Sequence, residues 1–321
     1  MKLNKKAKLV AILTAVFFLM ASYSLEAAKK EKYEEKFEKT VSLAKDGEVI
    51  LKNISGAIEV RGWNKGEVRI EALKISKAST VEKAKENAKK VKIVVKKEGN
   101  TLSIKTEYPK NLGRKERRSI SVSVKYNLMI PAEASAKINN VSGNVTLEEI
   151  GGTVKASVTS GKLVVTKASK GVDCETVSGS LKIQDIKGNV YLKTVSGGIT
   201  AERIRGSIKA NVTSGNINLI DVSEANEVEA KVLSGTVTYK GSINRDGRYT
   251  LKSHSGSIKM TLPSDSGFDL VARTFSGRIN SDFDITVSGK IGKREISGKV
   301  NDGGAVVKLS TFSGSIILRK K

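Results

Sequence analysis

The chain has 321 residues, 39% of them hydrophobic and 28% charged, which suits a folded protein and excludes a disordered one. With 57 Lys and Arg against 33 Asp and Glu, its formal net charge of +24 favours anionic partners without choosing among glycans, acidic lipids and nucleic acid. One cysteine, Cys174, rules out an intramolecular disulfide, and one histidine, His254, argues against His-based zinc sites and Ser-His-Asp catalysis.

Residues 1–28 read as a secretory signal peptide. Lys2, Lys5, Lys6 and Lys8 precede an apolar run from Leu9 to Met20 broken only by Thr14, and small residues follow at Ala21, Ser22, Ser24, Ala27 and Ala28. The run is short for a stable span, which needs about 20 residues. The expectation is therefore export to the cell envelope (periplasmic, surface-associated or secreted), with cleavage between Ser24 and Ala28. Retention as an anchor is the alternative.

Residues 29–39, KKEKYEEKFEK, read as a charged linker. Residues 40–131 read as a β-rich N-terminal cap. Strands are expected at Thr40–Leu43, Glu48–Asn53, Ala57–Gly62 and Glu67–Ile75. A helix is expected over Ser79–Lys90, where Ser79 and Glu82 have capping-box spacing and Val81, Ala84, Ala88 and Val91 share a side. A hairpin, Val91–Lys96 and Thr101–Thr106, flanks the turn Glu98-Gly99-Asn100. A basic loop follows with Lys110, Arg114, Lys115, Arg117 and Arg118, then an alternating segment from Ser119 to Ile130 and Pro131.

Residues 132–321 are dominated by repeats. Counting the early copy at Ser55, a Ser-Gly pair with Ile, Leu or Val three residues after its serine occurs twelve times, at Ser55, Ser142, Ser160, Ser178, Ser196, Ser214, Ser234, Ser255, Ser276, Ser288, Ser297 and Ser313. From Ser142 to Ser214 the step is 18 residues, then 20, 21 and 21, and an insertion lengthens the step from Ser276 to Ser313. Glycines at 152, 171, 188 and 206 mark a second corner, so each unit reads as two short strands and two turns.

Aligned units place Val145, Leu163, Leu181, Ile199 and Ile217 in one column. Val154, Val172, Val190 and Ile208 form another, and Cys174 and Leu192 share a third with Ala156 and Ala210. Polar residues lie between, as period-two alternation requires of a strand with one wet face. One strand pair cannot bury its apolar face alone, whereas rungs stacked ~4.8 Å apart pair every backbone group with the next rung. The expected fold is all-β: a single-stranded β-helix or solenoid with rungs of about 18–21 residues, plus a short helix and a hairpin in the N-terminal cap. Arg319, Lys320 and Lys321 would protect the far edge from pairing.

The order of FEKTVSL, ISGAIEVRGWNKGEVRIEALK, a helix, VKYNLMIP, serial VSGNV/TSGKL/VSGSL units and GGAVVKLSTFSGSIIL resembles a bacterial family known as putative adhesins. These are exported β-strand-repeat proteins that carry a domain of unknown function. The resemblance covers about residues 33 to 318. It implies a β-helix at the cell surface or in the periplasm and brings no catalytic motif.

The expected function is a non-enzymatic envelope protein, adhesin or scaffold, offering a rigid surface to anionic glycan or lipid. No cofactor, no metal and no specific nucleic-acid partner are expected, and no transmembrane span remains after signal cleavage. The basic loop of Lys110, Arg114, Lys115, Arg117 and Arg118 is the candidate contact site. Its only nearby ring is Tyr108, a poor platform for single-stranded nucleic acid. The serines recur at every corner, so they read as turn chemistry, not as nucleophiles. Cys174 reads as a buried small apolar group and Trp63 as a lid on the core. Asp265, Asp269, Asp282 and Asp284 form a loose acidic group with calcium as its functional reading. A polysaccharide-acting β-helix enzyme and a self-assembling extracellular filament are the rival functions.

Overall fold

Strands that end at a Ser-Gly pair and strands that begin after it fall into two separate sheets, of 14 and 13 strands. The computed structural model describes residues 30–109, 113, 120–287, 292 and 294–321. In the repeat region neighbouring strands are parallel and pair residue for counterpart. Val154, Val172, Val190 and Ile208 meet in one sheet, and Leu163, Leu181, Ile199 and Ile217 in the other. Backbone bonds cross every corner: the Gly179 amide donates to the Ser196 carbonyl at 2.9 Å, and that of Leu181 to Gly198 at 3.0 Å. The fold is thus the expected all-β, β-helix-like stack.

The core lies between the two sheets along the whole stack. Val145, Leu163, Leu181, Ile199 and Ile217 are buried, as are Val154, Val172, Val190, Ile208, Cys174 and Leu192. Each buried aliphatic contributes roughly 1.5–3 kcal/mol, and many small ones in register replace large rings. A further inward column, Ile150, Ala168, Ile186, Ile204 and Val222, escapes strict alternation. Before each of them stands a non-glycine residue with positive φ: Glu149, Lys167, Asp185, Arg203 and Asp221, at 52–60°. That one residue shifts the phase of the strand, as a bulge does, and turns the next side chain inward.

At the N-terminal end the chain does not stack in sequence order. Glu48–Ser55 and Ile58–Trp63 pair on one side with Ser135–Ser142 and Val145–Ile150. On the other side they pair with Thr101–Glu107 and Ser121–Pro131. The core therefore runs unbroken past residue 131. Outside this rung Glu67–Ala78 and Glu31–Ser42 add antiparallel strands to one sheet, and Lys92–Glu98 adds one to the other.

Two local expectations change here. The run expected as a charged linker is mostly the edge strand Glu31–Ser42. Its alternate residues Phe37 and Val41 pack against the core, and Glu35 meets the nearly buried Lys74 at 2.8 Å. Helix α1 spans Val81–Lys90 and is capped by Thr80, not Ser79. The Thr80 hydroxyl accepts from the Lys83 amide at 3.2 Å, and Ala84, Asn87 and Ala88 face inward while Val81 is exposed.

The C-terminal end also departs from sequence order. Ala305–Ser313 and Ile316–Lys320 insert between the rung of Arg248–Ser255 with Ile258–Leu262 and the rung of Phe268–Ser276 with Ile279–Ser281. Arg319 and Lys320 therefore lie in an interior strand and do not guard an edge. They meet Asp282 at 3.3 Å and Asp284 at 3.7 Å. Glu295–Val300 then adds antiparallel to Phe268–Ser276, and the short strand Thr286–Val287 lies outside it. Ser297-Gly298 consequently lies inside a strand and is no corner.

Candidate functional site

The corners decide what the outer surface presents. At Ser-Gly the glycine has φ of +139° at Gly215 and +126° at Gly143, a region that disfavours side chains. The rungs also touch there: a Cβ on Gly215 would lie 2.3 Å from the carbonyl oxygen of Gly197. Two residues before the serine of each stacked corner, from Asn53 to Thr274 in stacking order, the side chain is buried, and several of these are polar. Asn140 donates to the carbonyls of Gly56 and Gly143 at 3.0 and 3.1 Å. Thr311 donates to Gly256 and Thr274 to Gly314, each at 2.9 Å. These corner carbonyls are satisfied from inside, which accounts for some of the buried polar groups in an aliphatic core, whereas the buried Thr176 hydroxyl has no partner among the described residues.

One residue before the serine the side chain points outward. In stacking order this column reads Ile54, Val141, Thr159, Val177, Val195, Thr213, Leu233, His254, Phe312 and Phe275. Among the described residues, seven of the eight exposed large hydrophobic side chains stand in it, with Leu233 at 54% and Phe275 at 62% exposure. The three rings stack. Phe275 and Phe312 are 4.7 Å apart and 5° from parallel, and His254 and Phe312 are 5.0 Å apart at 9°. Those distances match the rung spacing of ~4.8 Å. Beside the rings a shallow hollow is rimmed by Lys252, Arg273 and Arg294. The sequence carried this signal as an apolar residue at an outward phase immediately before Ser-Gly.

A second line runs along the bulge residues, where signs alternate: Glu149, Lys167, Asp185, Arg203, Asp221. Lys167 meets Glu149 at 2.9 Å and Arg203 meets Asp185 at 2.6 Å. The hydrogen bond from Lys167 holds the Glu149 carboxyl below its usual range, and that from Arg203 does the same for Asp185.

The basic loop residues Lys110, Arg114, Lys115, Arg117 and Arg118 lie outside the described residues. Next to them the Tyr108 hydroxyl donates to the Val122 carbonyl at 2.8 Å, and burial pushes its pKa up to about 12. Cys174 is fully buried, and desolvation raises its thiol pKa, which opposes reactivity. Trp63 is half-buried. Its indole N–H donates to the Glu67 carbonyl at 2.8 Å, and the Lys65 ammonium sits 4.8 Å from the ring centroid. Asp282 and Asp284 are taken by Arg319 and Lys320, and no cluster that could hold a metal occurs among the described residues. No helix among them is long and apolar enough to cross a membrane.

Three solved structures are similar to this chain, each at 12% identity. A putative cell adhesion protein from Clostridium sporogenes covers 90% of this chain and 100% of its own, with a TM-score of 0.26. A putative adhesin from Bacteroides fragilis covers 88% and 97% at 0.36, and a putative lipid binding protein from Parabacteroides distasonis 89% and 97% at 0.38. No curated protein matches the chain. The family model described as Toastrack DUF4097 matches residues 57–319, and the chain belongs to that family.

Proposed function

We propose that this chain is an exported envelope protein that works by binding, with the β-helix as a rigid scaffold for its outer columns. The observation that carries the reading is the repeated outer surface itself. Each rung adds one residue to every outward column, at a fixed spacing, on a core that runs the length of the stack. That arrangement suits an extended ligand with its own repeat better than a small substrate. The net charge of +24 favours anionic envelope polymers or lipid over neutral ones.

The test is a binding panel of purified envelope glycans, anionic lipids and DNA, at low and high salt, run alongside fractionation of producing cells. Selective binding that weakens with salt, by a protein found outside the cytoplasm, supports the reading. Uniform, salt-erased binding to every polyanion, or retention in the cytoplasm, defeats it.

A further inference from the structure

The column before the Ser-Gly corners is not accounted for by folding. Its side chains point away from the core, yet it collects nearly all the large apolar groups exposed among the described residues. It continues through the break in chain order at the C-terminal end, where Phe312 stands between His254 and Phe275. Ten rungs at ~4.8 Å give a ridge roughly 40 Å long. A contiguous exposed apolar strip rimmed by polar residues marks an interaction surface.

Charge beside the ridge selects the partner. Three residues before the serines stand Lys52, Lys193, Lys231, Lys252 and Arg273, against the single acid Glu175. Two residues after the serines are Lys162 and Arg278, with small neutral residues elsewhere. Lys231 pairs with Glu229, and Arg273 with Glu295 at 2.7 Å. Among the described residues Lys52, Lys162, Lys193 and Lys252 hold no ion pair. An apolar edge with a row of cations along one side and Lys162 and Arg278 on the other matches the boundary of an anionic bilayer, where acyl chains lie beneath headgroup phosphates. A second copy stacked ridge on ridge would bring like-charged side chains together. A sugar polymer would stack on ring faces, but His254 and Phe275 cover both faces of Phe312.

We propose that the ridge from Ile54 to Phe275 docks the β-helix lengthwise on an anionic lipid surface, its apolar side chains in the headgroup boundary and the flanking lysines on the phosphates. This rests on the reading of the chain as an exported binding protein and names the surface and the ligand class.

The test uses vesicles of phosphatidylcholine with and without phosphatidylglycerol, and the chain without residues 1–28. Every residue of the described core lies at or beyond Phe37, so that chain keeps its packing. The protein should co-sediment with the anionic vesicles and be partly released by salt. The variant Val177→Ser/Val195→Ser/Leu233→Ser should bind about tenfold more weakly or worse. Lys193→Gln/Lys252→Gln should also weaken binding. Thr159→Val/Thr213→Val, which fills the two polar gaps, should strengthen it and guards against a loss that reflects misfolding. All these positions are exposed, so thermal transitions should be unchanged. Three results would overturn the proposal: no binding to anionic vesicles, wild-type binding by the serine variant, or a vesicle-free dimer that the serine variant abolishes. Glycan binding without vesicle binding would remove the lipid assignment and leave the proposed function standing, whereas loss of both would remove both.

Discussion

Lys167 stands one rung from Glu149, with Nζ 2.9 Å from Oε1, and both residues hold left-handed backbone, at φ 57° and 60°. The pair recurs two rungs on as Arg203 and Asp185. A conformation that favours glycine or asparagine is here occupied by charged residues of alternating sign. The first pair is exposed and the second only partly buried, so their net worth in stability is small. Their effect is on register: slipping one rung would set like charge on like charge.

Acidification should reach these pairs late. The carboxyls of Glu149 and Asp185 are held below their unfolded values, first by the hydrogen bonds from Lys167 and Arg203. A depressed carboxyl contributes fully above about pH 5 and loses that contribution as pH falls through its folded value. Lys167 is shifted upward by the same bond, so its contribution holds until pH rises through a value far above neutrality. Carboxyl-carbon NMR should show both acids titrating late on acidification. Lys167→Met should return Glu149 towards its ordinary value, and an unmoved midpoint would mean that the bridge is not formed in solution.

Inside and outside alternate sharply at Leu192 and Lys193. Leu192 is fully buried between Cys174 and Ala210 in its column, whereas Lys193 is exposed. Leu192→Asp should cost on the order of 4 kcal/mol or more, because it places an unpaired charge in the stack. Lys193→Asp should stay within about 0.5 kcal/mol. Equal losses in urea unfolding would show that the assigned faces are wrong.

Two glycines separate backbone strain from rung contact. Gly99, at φ +56°, has nothing within 4 Å of the place a Cβ would take, so Gly99→Ala should cost only about 1–2 kcal/mol of left-handed strain. At Gly215 the same substitution adds a collision 2.3 Å from the Gly197 carbonyl oxygen, which backbone movement alone can relieve. Gly215→Ala should lose at least about 3 kcal/mol, since strain and overpacking add. Similar thermal shifts for the two variants would leave the glycine column as turn chemistry alone.

Much of this is legible in the repeat because adjacent rungs obey one local rule. Leu181 can be placed inside from its offset to Ser178, with no knowledge of its neighbours. What is hidden depends on non-local choices or on a phase shift. Ile186 escapes the alternation because Asp185 turns the strand by one residue, although an apolar residue eight positions after each serine from Ser142 to Ser214 would have marked it. Glu31–Ser42 is masked by its charges, with Phe37 and Val41 the only clear guides. Stacking order at the ends cannot be read from any repeat, because every rung offers the same kind of edge to the next. The ridge is written in Val177, Val195 and Leu233, but at the phase opposite to the one that defines the core.

The reordered C-terminal end carries its own prediction. In a solenoid stacked in sequence order, trimming the last rung shortens the rod and leaves the rest intact. Here Ala305–Ser313 lies between Arg248–Ser255 and Phe268–Ser276, so deleting residues 305–321 removes a rung from inside the stack. Residues 268–300 would lose their partner, and Phe268, Leu270 and Ala272 would lose the packing of Ala305, Val307 and Leu309. Limited proteolysis of the truncated chain should therefore cut within 263–300 while the rungs from Ser135 to Leu262 stay protected. Hydrogen exchange should show the same boundary. If residues 268–300 remain protected after the deletion, they dock on the preceding rung by themselves, and the inserted position of the C-terminal strands is wrong.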